Sequence, residues 1–108
     1  MPAALLLALA IVSEVVATLA LRASDGFSRP LPVAVVIVGY GLSFWLLALA
    51  LRHIPVSLTY AIWSGVGTAL IAVAGVLAFG ETMNLMKVAS LAVIVLGVAG
   101  LSAAGGAH

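Results

Sequence analysis

The stretch AALLLALAIVSEVVATLAL, residues 3–21, contains a single ionisable side chain, Glu14. A helix of this length spans about 28 Å, which is close to the roughly 30 Å hydrocarbon core of a bilayer. The length and the composition of this stretch therefore predict a membrane-spanning helix.

The same pattern recurs three times along the chain. Charged residues separate the apolar runs, and the runs predict transmembrane helices at about residues 3–21, 31–51, 56–79 and 88–104. Only helices and closed barrels satisfy their backbone groups in lipid, and these unbroken runs lack the alternation of barrel strands. The sequence therefore predicts an all-α integral membrane protein, with residues 1–108 forming a single four-helix transmembrane domain.

The composition leaves little room for other kinds of protein. Of the 108 residues, 66% are hydrophobic and 6% are charged, against roughly 25% charged in soluble domains. The net charge of +1 gives no reason to expect a nucleic-acid partner, and the absence of cysteine excludes disulfides, thiolate metal sites and cysteine nucleophiles. The sequence contains no motif that combines a nucleophile with a base and no cluster of metal-ligand residues, so we expect neither an enzyme nor a cofactor.

Two questions of processing and orientation arise from the same pattern. The first run could be a cleaved signal peptide, but no Lys or Arg precedes it and its apolar core is too long, so we expect a retained helix.

Arg22, Arg29 and Lys87 fall on one side of the predicted membrane domain, and Arg52 and the N-terminal amine fall on the other. This bias is weak under the positive-inside rule, and it permits insertion in both orientations, a dual topology.

Glu14 lies near the middle of the first run. An ionised carboxylate at the centre of a transmembrane helix costs about 2.5 to 3.5 kcal/mol on insertion scales. Arg22 lies about 12 Å farther along the helix, and the other basic residues lie at helix ends or in loops. A proton, a water-filled cavity or a cation from outside is needed to offset the cost, with a hydrogen-bonded structural Glu as the alternative.

A carboxylate in this setting can exchange a proton for an organic cation. Removal from water favours the protonated form of a carboxyl group, whereas a bound cation favours the ionised form, so the two ligands compete. A site that faced one side of the membrane at a time would couple proton entry to cation exit. Ala10, Ile11, Ala17 and Thr18 share the Glu14 face at helical spacing, and three of them are small enough to leave room for a cation.

Aromatic side chains on two other runs suggest a surface for that cation. Tyr60 and Trp63 fall on one helix face in TYAIWSGVGTA, residues 59–69. Aromatic faces attract cations by about 0.5 to 2 kcal/mol, although Tyr60 could instead be an anchor at the membrane interface. Tyr40 and Ser43 share a stripe on the second run and are further candidates for binding the substrate, although lone aromatic residues on such a run are packing residues by default.

Small residues in the last two runs predict a bend and a helix contact. Gly65 and Gly67 form a pair inside a long span, where helices commonly bend. Ser90 and Gly97 lie seven residues apart and share a face that would allow close contact with another helix. We predict a conformational kink at the first pair and a dimer interface at the second, with simple exposure to lipid as the alternative.

Several motifs, in order and nearly end to end, resemble the small multidrug resistance family. They are SEVVAT (13–18), SDGFSR (24–29), GLSFWLL (41–47), HIPVSLTYAIWSGVG (53–67) and AFGET (78–82). The resemblance implies an antiparallel homodimer of four-helix chains in the inner (cytoplasmic) cell membrane. It also implies that the protein exports hydrophobic cations by alternating access, in exchange for protons.

The resemblance assigns roles to individual residues. Glu14 is similar to the family's shared proton and substrate carboxylate, and the GVG of residues 65–67 is similar to its helix kink. The residues that resemble the lining of its substrate pocket are Ala10, Ile11, Ala17, Thr18, Tyr40, Tyr60 and Trp63. The family often has Gly where this chain has Ser90, a departure that concerns helix packing.

The residue at position 17 bears on the class of cation. The guanidinium-exporting branch of the family is similar to EVVWA after its glutamate, with a bulky Trp where this chain has Ala17. The smaller side chain, together with Tyr40, favours bulky quaternary ammonium and other hydrophobic cations, with guanidinium as the alternative. A proton-conducting subunit and a structural membrane subunit remain as other classes, but neither would need the aromatic residues.

Overall fold

The computed structural model describes residues 2–104, and within that range the chain forms four α-helices and no strand. The helices are α1 (Ala3–Ala23), α2 (Pro30–Ala50), α3 (Val56–Phe79) and α4 (Leu85–Ala103). Each is long and apolar enough to cross a membrane. The predictions of an all-α fold and of four transmembrane helices are therefore confirmed.

The ends of three helices differ from the sequence prediction by one to three residues. The prediction placed helix ends where apolar runs stop, whereas hydrogen-bonded caps and turns decide them in the structure. α4 begins at Leu85 rather than at residue 88, because Asn84 lies before it and its side chain accepts a hydrogen bond of 2.9 Å from the backbone N–H of Lys87. α2 begins one residue early at Pro30, whose missing N–H costs nothing at a first helical position.

α1 and α2 form one compact unit, and α3 and α4 form another. That all four helices make a single domain stays a prediction. In the first unit, α1 and α2 approach closely where Gly39 faces Ala17. The hydroxyl of Ser43 donates a hydrogen bond of 2.8 Å to the backbone carbonyl of Ala10, so a polar bond joins the two helices as well.

The connection between α1 and α2 is organised around Ser24, which is fully buried. Its hydroxyl donates to the carbonyl of Leu21 over 2.7 Å and accepts the backbone N–H of Phe27 over 3.1 Å. The Ser24 carbonyl also accepts the N–H of Arg29 over 3.1 Å. Gly26 sits at the tip with φ of 68°, a backbone conformation that glycine adopts without steric cost. These bonds hold the ends of α1 and α2 in a fixed relation.

In the second unit, glycines determine a helix contact and a helix end. A Cβ at Gly65 would overlap the side chain of Val98 in α4, so the absence of a side chain permits the close approach of α3 to α4. α3 ends at Phe79 and is capped by Gly80, which has φ of 66°. The backbone N–H of the next residue, Glu81, donates to the carbonyl of Gly75 over 3.3 Å.

Candidate functional site

Glu14 lies in the middle of α1 with its carboxylate hydrogen-bonded and half-buried. Thr18, one turn later on the same face, donates from its hydroxyl to Glu14 Oε1 over 2.9 Å. The hydroxyl of Tyr40, from α2, lies 2.6 Å from Thr18 Oγ1. The structure therefore brings three of the residues selected from the sequence into one connected group, which we call the hydroxyl chain: Tyr40, Thr18 and Glu14.

The direction of the hydroxyl chain follows from proton counting. A threonine hydroxyl carries one proton, so when Thr18 donates that proton to Glu14 it can only accept from Tyr40. The ionised carboxylate is thus stabilised by a charge-assisted hydrogen bond from Thr18, and the bond from Tyr40 strengthens it further.

When Glu14 is protonated, the hydrogen bonds of the hydroxyl chain can run in the opposite direction. The carboxyl proton would then be donated to Thr18 Oγ1, and Thr18 would donate its own proton to the Tyr40 oxygen. Two hydroxyl groups between the helices can therefore satisfy both forms of the carboxyl group. Such a site can exchange a proton for a cation without leaving either form unpaired.

The other predicted residues of this unit are buried. Ala10, Ala17 and Ser43 are fully buried, and Ile11 is 4% exposed. The stripe that paired Ser43 with Tyr40 in the sequence does not place their hydroxyls together: Tyr40 reaches Thr18, whereas Ser43 bonds to the carbonyl of Ala10. In the single chain these four residues are covered by their neighbours. Their assignment as substrate-binding residues stays a prediction.

Tyr60 and Trp63 form an aromatic pair on α3. Their ring centroids lie 5.8 Å apart at an interplanar angle of 53°. Trp63 is half-buried, whereas Tyr60 is 62% exposed and presents most of its ring at the surface of the chain. The two rings therefore lie in contact, and their assignment as a cation-binding surface stays a prediction.

The predicted kink and dimer residues have clear positions. Gly65 and Gly67 are buried within α3, which is one helix from Val56 to Phe79, so bending at this pair stays a prediction. Ser90 and Gly97 are exposed on α4, and a Cβ at Gly97 would meet nothing within 4 Å. None of the residues of α4, all of which the structure describes, is buried. The face predicted to form the dimer is therefore open in the single chain.

One residue of the site was missed by the sequence analysis. Gly39 precedes Tyr40 and lies directly against Ala17, but a lone glycine in an apolar run carries no signal that separates it from ordinary helix packing.

As to metals, no three His, Cys, Asp or Glu side chains among residues 2–104 come together in a group that could hold an ion.

Comparison with known proteins gives consistent matches over most of the chain. The family model described as Small Multidrug Resistance protein matches residues 3–94. Multidrug resistance protein EbrA of Bacillus licheniformis is 48% identical over 92 residues, which cover 85% of this chain and 88% of that protein. Multidrug resistance protein EbrB of Bacillus subtilis is 50% identical over 94 residues, with coverages of 87% and 80%. Quaternary ammonium compound-resistance protein QacE of Escherichia coli is 45% identical over 94 residues, with coverages of 87% and 86%.

Proposed function

The chain belongs to the Small Multidrug Resistance family and is a multi-pass membrane protein, and on this premise we propose that it exports hydrophobic and quaternary ammonium cations in exchange for protons. Relatives named for multidrug and quaternary ammonium resistance support this class of substrate. The observation that carries the proposal is the hydroxyl chain at Glu14, the only acidic residue within a helix in the described part of the chain.

Glu14 is proposed to bind a proton and a cation in turn. In the ionised form, Thr18 donates to the carboxylate and leaves one carboxylate oxygen for the positive charge of a substrate. In the protonated form, the charge that attracts the cation is gone and the substrate leaves. Because one carboxyl group serves both ligands, each displaces the other, and alternating exposure of the site to the two sides of the membrane couples their movements.

The proposed substrate is a bulky cation with delocalised charge. Tyr60 and Trp63 provide aromatic faces that favour such a cation over a strongly hydrated one. The short side chain of Ala17 supports the same class, since a bulky residue beside Glu14 would narrow the site. We propose that these residues, with the other predicted lining residues, give the broad specificity of a multidrug exporter and that no catalytic chemistry is involved.

The working form is proposed to be an antiparallel homodimer in the inner (cytoplasmic) membrane. The exposed face of α4 that carries Ser90 and Gly97 supports a second copy as the partner, because small residues allow two helices to approach closely in lipid. The weak charge bias between the two sides supports insertion in both orientations, which an antiparallel dimer requires. The exchange of conformation between the two copies is proposed to use the glycine pair of α3.

The test is proton release on substrate binding. Purified protein in weakly buffered detergent is mixed with tetraphenylphosphonium, and the pH change is measured for the wild type, for Glu14→Gln and for Glu81→Gln. The last variant is the matched control, because Glu81 lies in the loop after α3. Release by the wild type and by Glu81→Gln, but not by Glu14→Gln, is expected. Release with guanidinium alone would indicate the selective branch, and no release with either cation would refute the proposal.

A further inference from the structure

Gly39 lies at a very close approach of α1 and α2. A Cβ built on Gly39 would lie 2.8 Å from the Cβ of Ala17, and 3.3 Å from both the Cα of Ala17 and the backbone oxygen of Ser13. Real Cβ atoms essentially never make contacts shorter than 3.0 Å. Any side chain at position 39 must therefore push α2 away from α1 at this level of the unit.

The hydroxyl chain crosses between the helices at the same level. Tyr40 follows Gly39 on α2, and Thr18 follows Ala17 on α1, so the close backbone contact and the 2.6 Å hydrogen bond are made by neighbouring residues. An ordinary carbon–carbon contact at this point would need the helices to separate by roughly 1 Å. A hydroxyl–hydroxyl bond weakens steeply beyond about 3.0 Å, so that separation would break the bond between Tyr40 and Thr18.

We propose that Gly39 is a positioning residue for the exchange of proton and cation. Together with Ala17, Gly39 sets the spacing of α1 and α2 at which the Tyr40 hydroxyl can donate a hydrogen bond to Thr18. That hydrogen bond in turn strengthens the bond by which Thr18 stabilises the ionised form of Glu14. This inference rests on the proposed function. It adds that Gly39 determines how well the cation competes with the proton for Glu14, although Gly39 has no side chain and contacts neither the proton nor the substrate.

The main variant is Gly39→Ala, and the chain offers a matched control. Gly41→Ala makes the same change two residues later on α2, where a Cβ would meet nothing within 4 Å. Equilibrium binding of tetraphenylphosphonium is measured at a pH at which binding releases protons from the wild type. Gly39→Ala is expected to lose roughly 2- to 10-fold in affinity, the range given by the loss of one hydrogen bond, whereas Gly41→Ala keeps the wild-type affinity.

Exchanging the methyl group between the helices tests the spacing itself. In the double variant Ala17→Gly with Gly39→Ala, the 2.8 Å overlap is removed and the remaining contacts at 3.3 Å need only a small adjustment. Because Ala17 is itself a proposed lining residue, the single variant Ala17→Gly is the reference for the exchange, and recovery to the affinity of that variant is expected. A loss in Gly39→Ala that the exchange does not reverse would mean that position 39 acts other than through spacing, and it would overturn the inference.

Combination with Tyr40→Phe separates positioning from a general loss of structure. If Gly39 acts through the Tyr40 hydroxyl, Gly39→Ala lowers affinity no further in the Tyr40→Phe background. The inference would be overturned if the affinity losses of Gly39→Ala and Tyr40→Phe multiplied in the double variant. It would also be overturned if Gly39→Ala and Gly41→Ala lost affinity equally, or if Gly39→Ala kept the wild-type affinity. Should Gly39→Ala fail to fold, the exchange variant is compared with and without Tyr40→Phe, and insensitivity to the loss of the hydroxyl would overturn the inference.

These outcomes are distinguishable from a failure of the proposed function. Absence of proton release from the wild type on adding tetraphenylphosphonium would refute antiport, whatever Gly39→Ala does. Proton release from the wild type together with unchanged binding by Gly39→Ala would leave antiport standing and remove only the positioning role.

Discussion

Replacing Thr18 by valine interrupts the hydroxyl chain at its centre while nearly keeping the shape of the side chain. The variant loses the 2.9 Å bond to Glu14 and the 2.6 Å bond to Tyr40. The hydroxyl chain can serve both forms of the carboxyl group, but its bond to Glu14 is charge-assisted, and therefore stronger, in the ionised form that binds the cation. The variant should therefore bind substrate less well wherever the substrate has to displace a proton.

The size of the effect follows from the kind of bond that is lost. A hydrogen bond to a charged group contributes about 1.5 to 3 kcal/mol net. The protonated form loses a neutral bond in the same variant, and Glu14 and Thr18 are only half-buried, so the difference between the two forms is about 1 kcal/mol, or roughly a fivefold change. At a pH at which binding releases a proton from the wild type, Thr18→Val should bind tetraphenylphosphonium about fivefold more weakly than the wild type. At a pH at which binding releases no proton, the two proteins should bind it almost equally.

The assay is equilibrium binding of tetraphenylphosphonium to detergent-solubilised protein at these two pH values. Thr68→Val is the matched control, because Thr68 is an exposed threonine of α3 whose hydroxyl bonds to the carbonyl of Ser64. Equal loss by Thr18→Val at both pH values would mean that Thr18 contacts the substrate or only packs against it. No loss at either pH would refute the role of the hydroxyl chain.

Two further predictions concern the stability of the fold. Ser43→Ala removes the buried bond to the carbonyl of Ala10 and should lower the free energy of unfolding by about 1 kcal/mol, measured by denaturation in detergent; wild-type stability would show that the bond contributes nothing. Asn84→Ala removes the cap of α4 and should cost about 1 kcal/mol and speed hydrogen exchange at the Lys87 amide, whereas Asn84→Asp keeps the acceptor; equal exchange in all three proteins would contradict the capping role.

Much of the fold could be predicted because long apolar runs have few structures available to them in lipid. The backbone polar groups of each run have to be satisfied within the run, which selects helices and sets their approximate limits. The exact ends were less predictable. Asn84 begins α4 through a side-chain hydrogen bond, three residues before the apolar run predicted its start, whereas α3 ends at Phe79 as predicted, because its apolar run stops at the left-handed Gly80.

The candidate site was predictable where it lies on one helix and not where it joins two. Glu14 and Thr18 are four residues apart, and helical geometry alone brings such pairs together. Ser43 and Tyr40 also share a helical stripe, yet the structure buries one hydroxyl against Ala10 and turns the other toward Thr18. Which residue of a stripe reaches the neighbouring helix depends on the rotation and spacing of the two helices.

The sequence by itself determined that the chain lies in a membrane as four helices, that one carboxylate lies within an apolar helix, and that the motifs around it are those of the Small Multidrug Resistance family. Hydrophobicity and helical period act over neighbouring residues, so they can be read along the chain. Only the tertiary structure decided that Gly39 meets Ala17 and that Tyr40 completes the hydroxyl chain. The physical reason is that helix spacing depends on which small residues face each other across the contact, and residues 22 positions apart acquire that relation only when the two helices pack.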